Sequence, residues 1–230
     1  MAALIRVPIG AYGGGGPYHS GSIESTLLTI RGIKVVYPSN AADMKGLMRA
    51  AFLDPNPVIM LEHKGLYWSK VPGTEDAKTV EPAAGYVIPL GQAAIAQPAA
   101  AAELAPGRHR RGRSPTAWAC TGPARPAAHY PGRVEVLDLR TLNPLDWPPC
   151  RPPCAATAKC WCSPKNRCST PSPKAWPAAS KRDCFMQLDA PVRTLGAANL
   201  PAIPLNVALE KQMLPSAEKV GVALGELLKY

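Results

Sequence analysis

Four glycines lead through Pro17 to a single histidine in the stretch Arg6–Ser25, RVPIGAYGGGGPYHSGSIES, which places Tyr18-His19-Ser20 at the end of a pliable run. An imidazole exchanges a proton near neutrality and so suits general acid–base work. Glycines adopt positive φ and let a backbone approach a ligand closely. These residues alone leave two readings open, a site and an ordinary surface loop. No Gly-Lys-Ser/Thr follows, so the run is not a phosphate-binding P-loop. A second group, Glu62-His63-Lys64, has residue types suited to acid–base chemistry. It stands where an apolar run meets a loop and reads as a strand end. Cys150, Cys154, Cys160, Cys162 and Cys168 crowd together without a paired C-x-x-C pattern and with no histidine among them, which argues against a zinc site.

The elements that must position these groups alternate apolar runs with one helical pattern, an α/β signature. Ala2–Ile9, Ile33–Tyr37 and Val58–Leu61 read as strands, the last apolar throughout as buried parallel strands are. Ser39 or Asn40 followed by Asp43 offers a helix N-cap. Leu47, Met48 and Ala51 then share one face, and Asp54-Pro55-Asn56-Pro57 stops the helix. Glu81–Gln97 reads as a linker and an opening strand, Arg133–Leu139 as a strand with alternating character, and Thr141–Trp147 as a turn whose Asp146 is placed to cap a helix that residues 148–182, as written, have erased. Cys184–Val192 reads as a strand, and Ala217–Tyr230 as an amphipathic helix with Val220, Val222, Ala223, Leu224, Leu227 and Leu228 on its apolar side.

Several blocks, in order, resemble one family. RVPIGAYGGGGPYHSGSIES and RGIKVVYPSNAADMKGLMRAAFLDPNPVIMLEHKGLYW come first, later followed by VEVLDLRTLNPLDW and LDAPVRTLGAANLPAIPLN. Together they resemble the beta subunit of thiamine-diphosphate-dependent 2-oxo acid dehydrogenases, acting on branched-chain 2-oxo acids or pyruvate. The resemblance implies an α/β fold, the second half of a transketolase-like pyrimidine-binding domain followed by a transketolase C-terminal-like domain. It implies that His19 is the active-site histidine that assists acyl transfer to lipoyl-lysine. It also implies that the carbonyl of Ala51, with Asp54 and Asn56, holds a structural potassium ion. Thiamine diphosphate is the implied cofactor, with magnesium held by an alpha-type part, and no residue here is assigned to holding the cofactor itself. The implied partners are that alpha-type part and a lipoyl-bearing acyltransferase, in a hetero-oligomer or a homodimer of a fused chain. The acid that activates the cofactor is expected upstream, so the chain is expected to be an N-terminally truncated fragment, inactive alone.

Charge separates two segments from the rest. The net charge of +10 invites a nucleic-acid reading. Residues 105–128 hold five arginines and no acid, and residues 148–182 hold seven basic residues and no acid. These twelve exceed the whole net charge and leave about −2 for the remainder, as in an ordinary enzyme. Both segments lack Ile, Val, Leu, Phe, Met and Tyr, so as written they are expected to be disordered. A reading-frame slip accounts for them better than a linker. With suitable synonymous codons, Thr157–Lys165 read one base earlier becomes HGKVLVLTE, and Pro115–Gly122 becomes YGMGVYW, both strand-like.

The expected organisation is a partial pyrimidine-binding domain at 1–82, a linker and first strand at 83–97, and a C-terminal-like domain at 98–230, with 105–128 and 148–182 out of frame. Its sheet is expected to lose at least two internal strands. The chain has no eighteen-residue apolar stretch and no basic start before an apolar core, so a cytoplasmic protein without membrane or nucleic-acid partners is expected. The rivals are a basic, cysteine-rich nucleic-acid- or zinc-binding protein and a non-catalytic remnant that docks on a partner.

Overall fold

The computed structural model describes residues 2–11, 15–67, 74–98, 130–146, 190–200 and 202–229, and the backbone of 115–119 and 159–163. Three parallel strands form the first sheet: β1 (Ala3–Ile9), β2 (Lys34–Val36) and β3 (Pro57–His63), in the order β1-β3-β2. The PVIMLEH run of β3 is buried from Val58 to His63 because it lies between two neighbours and under cover on both faces. Its register runs from Ala3 opposite Pro57 to Ile9 opposite His63.

One face of this sheet is covered by the helix Ala41–Leu53. The Asn40 side chain caps it, accepting from the Asp43 N–H at 2.8 Å, and the extended Asp54-Pro55 pair ends it. Leu47 and Ala51 then pack on Val36, Val58 and Met60. Tyr86 and Ile88 also join this core, and the Ile88 N–H bonds the Gly46 carbonyl at 3.2 Å. A Cβ on Gly46 would meet Ile88 Cγ1 at 2.7 Å, so the crossing needs glycine there. The segment that reads as a linker is thus part of the first core. On the other face Ile9, Leu27, Val35, Tyr37, Ile59 and Leu61 pack together. Two one-turn helices, α1 (Gly16–His19) and α2 (Glu24–Leu27), lie in the connection after β1, and the Ala41–Leu53 helix is α3.

The second sheet holds β4 (Ala94–Gln97), β5 (Pro115–Ala119), β6 (Glu135–Asp138), β8 (Lys159–Ser163) and β9 (Arg193–Thr194), in the order β4-β6-β5-β8-β9. Only β4 runs antiparallel. This corrects the expectation of lost strands. PTAWA and KCWCS, from the two basic segments, occupy interior places as β5 and β8. The rest of both segments lies outside the described residues. β6 does not alternate: Glu135 and Asp138 are buried with Val136 and Leu137 because the strand is covered on both faces. The expected strand at Cys184–Val192 falls mostly outside the described residues, and Ala190–Val192 is not strand.

Thr141–Asn143, expected as a turn, is strand β7. It leaves the second sheet and joins the first, antiparallel to β2. Polar contacts fasten this crossing. The Arg140 guanidinium donates to both Asp43 oxygens at 2.9 and 2.7 Å, and Asn143 Nδ2 donates to the Ile33 carbonyl at 2.7 Å. Ser39 Oγ donates to Asp138, as does the Arg140 N–H at 3.0 Å. Burial raises the Asp138 pKa, and those two donors only partly oppose it. Asp146 accepts from the Ala93 N–H at 2.9 Å and ties the segment before β4 to the crossing; the helix expected after it lies outside the described residues.

The chain closes with α4 (Val207–Met213) and α5 (Ala217–Leu227), each N-capped, by Asn206 and Ser216. Leu224 and Leu227 of α5 pack on Val134, Val136 and Ala190. Val222, assigned above to the apolar side, is exposed instead.

Candidate active-site edge

In a parallel sheet the connections after the strand C-termini converge on one edge, the usual place for a ligand in open α/β folds. Here β1 ends at Ile9 and β3 at His63, side by side in register. The chain leaves β1 through Gly10, whose φ of +88° is easy only for glycine. The Gly10 N–H donates to the Gly21 carbonyl at 3.2 Å and closes a loop. That loop carries Tyr18, His19 and Ser20, while Tyr12, Gly13 and Gly14 lie outside the described residues. His19 is exposed at the end of α1, and the adjacent Ser20 is buried. Gly16, with φ +61°, faces Leu205 of the second domain, whose Cδ2 lies 2.6 Å from where a Cβ would stand. Ala11 packs with Ala197, Met213 and Leu214. The loop is therefore held by both domains.

Beside it, Glu62, next to last in β3, has a side chain only 2% exposed. Arg6 reaches it from β1 with both Nε and Nη2, the latter at 2.9 Å, and the Tyr67 hydroxyl donates at 2.7 Å. Burial pushes the Glu62 pKa up, but these hydrogen bonds and the Arg6 charge outweigh it and hold the carboxyl below its ordinary value. Burial and the Glu62 carboxylate push the Tyr67 phenol up to about 12. The pair stays ionised and neutral respectively around neutrality. A cavity of about 180 Å³ opens next to them, lined by Asn40, Met44, Glu62, His63, Leu66 and Tyr67. Sequence reasoning missed Arg6 and Tyr67, because 56 residues separate Arg6 from its partner and no local pattern marks the pairing. Lys64, read with Glu62 and His63 above, begins a 3-10 turn.

Ala51, Asp54 and Asn56 come together in one turn at the opposite edge. β3 starts there and runs its length to His63, roughly 20 Å away. The Asp54 N–H donates to the Ala51 carbonyl at 3.3 Å. Asp54 Oδ1 accepts from the Asn56 backbone N–H at 2.9 Å and from Asn56 Nδ2 at 3.0 Å, and Oδ2 pairs with the Lys34 ammonium. Lys34 first, then the Asn56 N–H, lower the Asp54 pKa. Both carboxylate oxygens are engaged, and Lys34 already supplies a positive charge. A potassium ion there would depend on carbonyl oxygens. Among the described residues no group of three or more His, Cys, Asp or Glu side chains is placed to hold a metal ion. The side chains of all seven cysteines lie outside the described residues. No described helix is long and apolar enough to cross a membrane.

The geometry matches known proteins. Residues 1–69 match the transketolase pyrimidine-binding domain. The 2-oxoisovalerate dehydrogenase subunit beta of Bacillus subtilis (strain 168) is 30% identical over 234 residues, 99% of this chain and 65% of that one. Over nearly its whole length the chain is similar to beta subunits of 2-oxo acid dehydrogenases. The pyruvate dehydrogenase E1 component subunit beta of Rhizobium meliloti (strain 1021) is 30% identical over 94% of this chain and 44% of its own length. The beta subunit of acetoin:2,6-dichlorophenolindophenol oxidoreductase from Bacillus subtilis (strain 168) is 31% identical over 97% and 61%. The chain thus spans less than two thirds of each of these relatives. A solved split-gene transketolase, described as an inactive beta4 tetramer, shares the fold with a TM-score of 0.66 at 14% identity, over 98% of this chain and 66% of that one.

Proposed function

We propose that this chain supplies the histidine-bearing half of a thiamine-diphosphate-dependent 2-oxo acid dehydrogenase, which oxidatively decarboxylates its substrate and passes the acyl group to lipoyl-lysine. A branched-chain 2-oxo acid is the first choice of substrate and pyruvate the second. The observation that carries the reading is the placement of His19: exposed, at the C-terminal edge of the parallel sheet, on a loop held by both domains. Thiamine diphosphate, when bound, supplies the carbanion chemistry. Holding magnesium and the diphosphate falls, in this reading, to an alpha-type partner. The work left to this chain is proton transfer at the His19 imidazole during acyl transfer to a lipoyl-bearing acyltransferase. Magnesium belongs with the alpha part. A potassium ion at the Ala51 carbonyl, Asp54 and Asn56 would brace the far edge.

The test is co-production with an alpha-type subunit and assay of 2-oxo acid-dependent acylation of a lipoylated acceptor. The chain alone is expected to give none, the pair to turn over, and His19→Ala to lower acyl transfer by about 10²- to 10⁴-fold. Failure of the reconstituted pair to turn over either 2-oxo acid overturns the reading.

A second observation bears on residues 105–128 and 148–182, which we infer to be translated out of frame. β5 and β8 are interior strands, yet β5 begins with a proline that cannot donate to the ladder, and neither holds a β-branched aliphatic residue. The reading one base earlier places apolar, strand-forming residues there. Peptide mapping of the protein from its source decides the matter: recovery of a Cys160–Lys165 peptide as written would overturn the inference.

A further inference from the structure

We propose that His63 is the positioning residue for His19, its buried imidazole forming the floor on which the Gly10–Gly21 loop is seated. This rests on the functional reading above. His63 is the last residue of β3, in register with Ile9, and only 5% of it is exposed. Its ring is oriented by its own chain: the Gly65 N–H donates to Nδ1 at 3.2 Å. That bond requires Nδ1 to be unprotonated, so the neutral ring carries its proton on Nε2. The Nε2 side of the ring lies against Gly10. A Cβ on Gly10 would stand 2.3 Å from Nε2 and 2.4 Å from Cδ2, a separation that real atoms do not tolerate. Gly10 therefore serves two needs, a φ of +88° and room for the imidazole. Its N–H then closes the loop on Gly21, with His19 carried between the two ends. Moving the His63 ring moves the base of that loop, and an error of about 1 Å in a reacting group is enough to cost on the order of 100-fold in rate. Glu62 does not share this role, because Arg6 and Tyr67 hold it.

The test uses the full chain with its alpha-type partner and three variants: His63→Ala, His63→Asn and Gly10→Ala. Asparagine keeps an acceptor in the place of Nδ1. His63→Ala is expected to lower acyl transfer by about 10- to 100-fold, with the KM for the 2-oxo acid within about twofold. Decarboxylation measured with an artificial electron acceptor, which bypasses transfer to lipoyl, should be nearly unchanged. His63→Asn keeps the Gly65 bond but not the ring edge under Gly10, and should recover little of the loss. Gly10→Ala should be rescued in part by adding His63→Ala, since the clashing ring is then absent. Independently of turnover, the His19 imidazole signal in the histidine-labelled chain should move in both His63→Ala and His63→Asn, since neither keeps the ring edge under Gly10. With four histidines in the chain, a His19→Gln sample assigns it. An unmoved His19 signal in His63→Ala overturns the proposal whether or not the pair is active. Equal loss of both half-reactions overturns it too. Absence of turnover in the unsubstituted pair counts against the functional reading alone, and the signal then decides the role of His63.

Discussion

The two edges of the first sheet are built from the same strands and end in opposite ways. At the edge where β3 begins, the α3 terminus and its turn close on themselves: Asp54 is engaged by Asn56 and Lys34, and the Ala51 carbonyl by the Asp54 N–H. At the edge where β3 ends, the chain leaves through a glycine at φ +88°, presents an exposed imidazole and borders a cavity. Both edges contain a carboxylate with a depressed pKa. The difference lies in what surrounds it. Asp54 neutralises a turn, whereas Glu62 stiffens the wall of an opening. The comparison teaches that a short polar turn can be fully satisfied locally, while a site needs groups brought from several strands and left partly uncommitted.

Substitutions should separate the edges. The largest expected effect is common to both. Leu47→Ala opens a cavity between α3 and the sheet, and a loss of about 2–5 kcal/mol is expected by denaturant titration. Hydrogen exchange should quicken at both edges together; quickening at only one would show that they are not coupled through α3.

Glu62→Gln comes next and acts on one edge. It removes the charge that Arg6 and Tyr67 hold, and a loss of about 1.5–3 kcal/mol is expected. Its signature is in the pH dependence. The folded pKa lies below the ordinary 4.5, so the Glu62 contribution is complete above the unfolded pKa and is lost as pH falls through the folded value. Acid unfolding of Glu62→Gln should therefore show a shallower loss between neutrality and pH ~3 than the parent. An identical slope would place the acid sensitivity elsewhere. Asp54 has the same sign, whereas the buried Asp138, with its raised pKa, opposes folding as pH rises.

The smallest effect is expected at the closed turn. Lys34→Ala leaves Asp54 with its Asn56 donors, and a change of about 0–1 kcal/mol is expected, with no change at the His19 edge. A loss as large as that of Glu62→Gln would mean that the turn is more than a solvated ion pair.

Much of the first domain was legible because its signals are local. The PVIM run, the Asn40 cap with Asp43 three residues later, and the Asp54-Pro55 stop each depend on neighbours within one turn or strand. His19 was legible as a candidate through the glycines before it and the family resemblance. Arg6 and Tyr67 were not, since the pairing with Glu62 arises only when β1 and β3 align. Thr141–Asn143 read as a turn because three residues before a proline carry too little pattern to reveal the strand they join. The two basic segments read as strandless because their composition offers no apolar alternation, yet parallel pairing places PTAWA between β6 and β8, and KCWCS between β5 and β9, inside the second sheet.

The sequence by itself determined the α/β class, the helix over Ala41–Leu53 to within its caps, the run that becomes β3, and the residue types available for chemistry. These follow from periodicity, capping and chain stiffness, which act over a few residues. Only the tertiary structure decided that Gly10 rests on the His63 ring, that Arg6 and Tyr67 hold Glu62, that Leu205 of one domain meets Gly16 of the other, and that β7 crosses between sheets. Those contacts join residues far apart in the chain, and their strength comes from burial and alignment that exist only once the sheets have assembled.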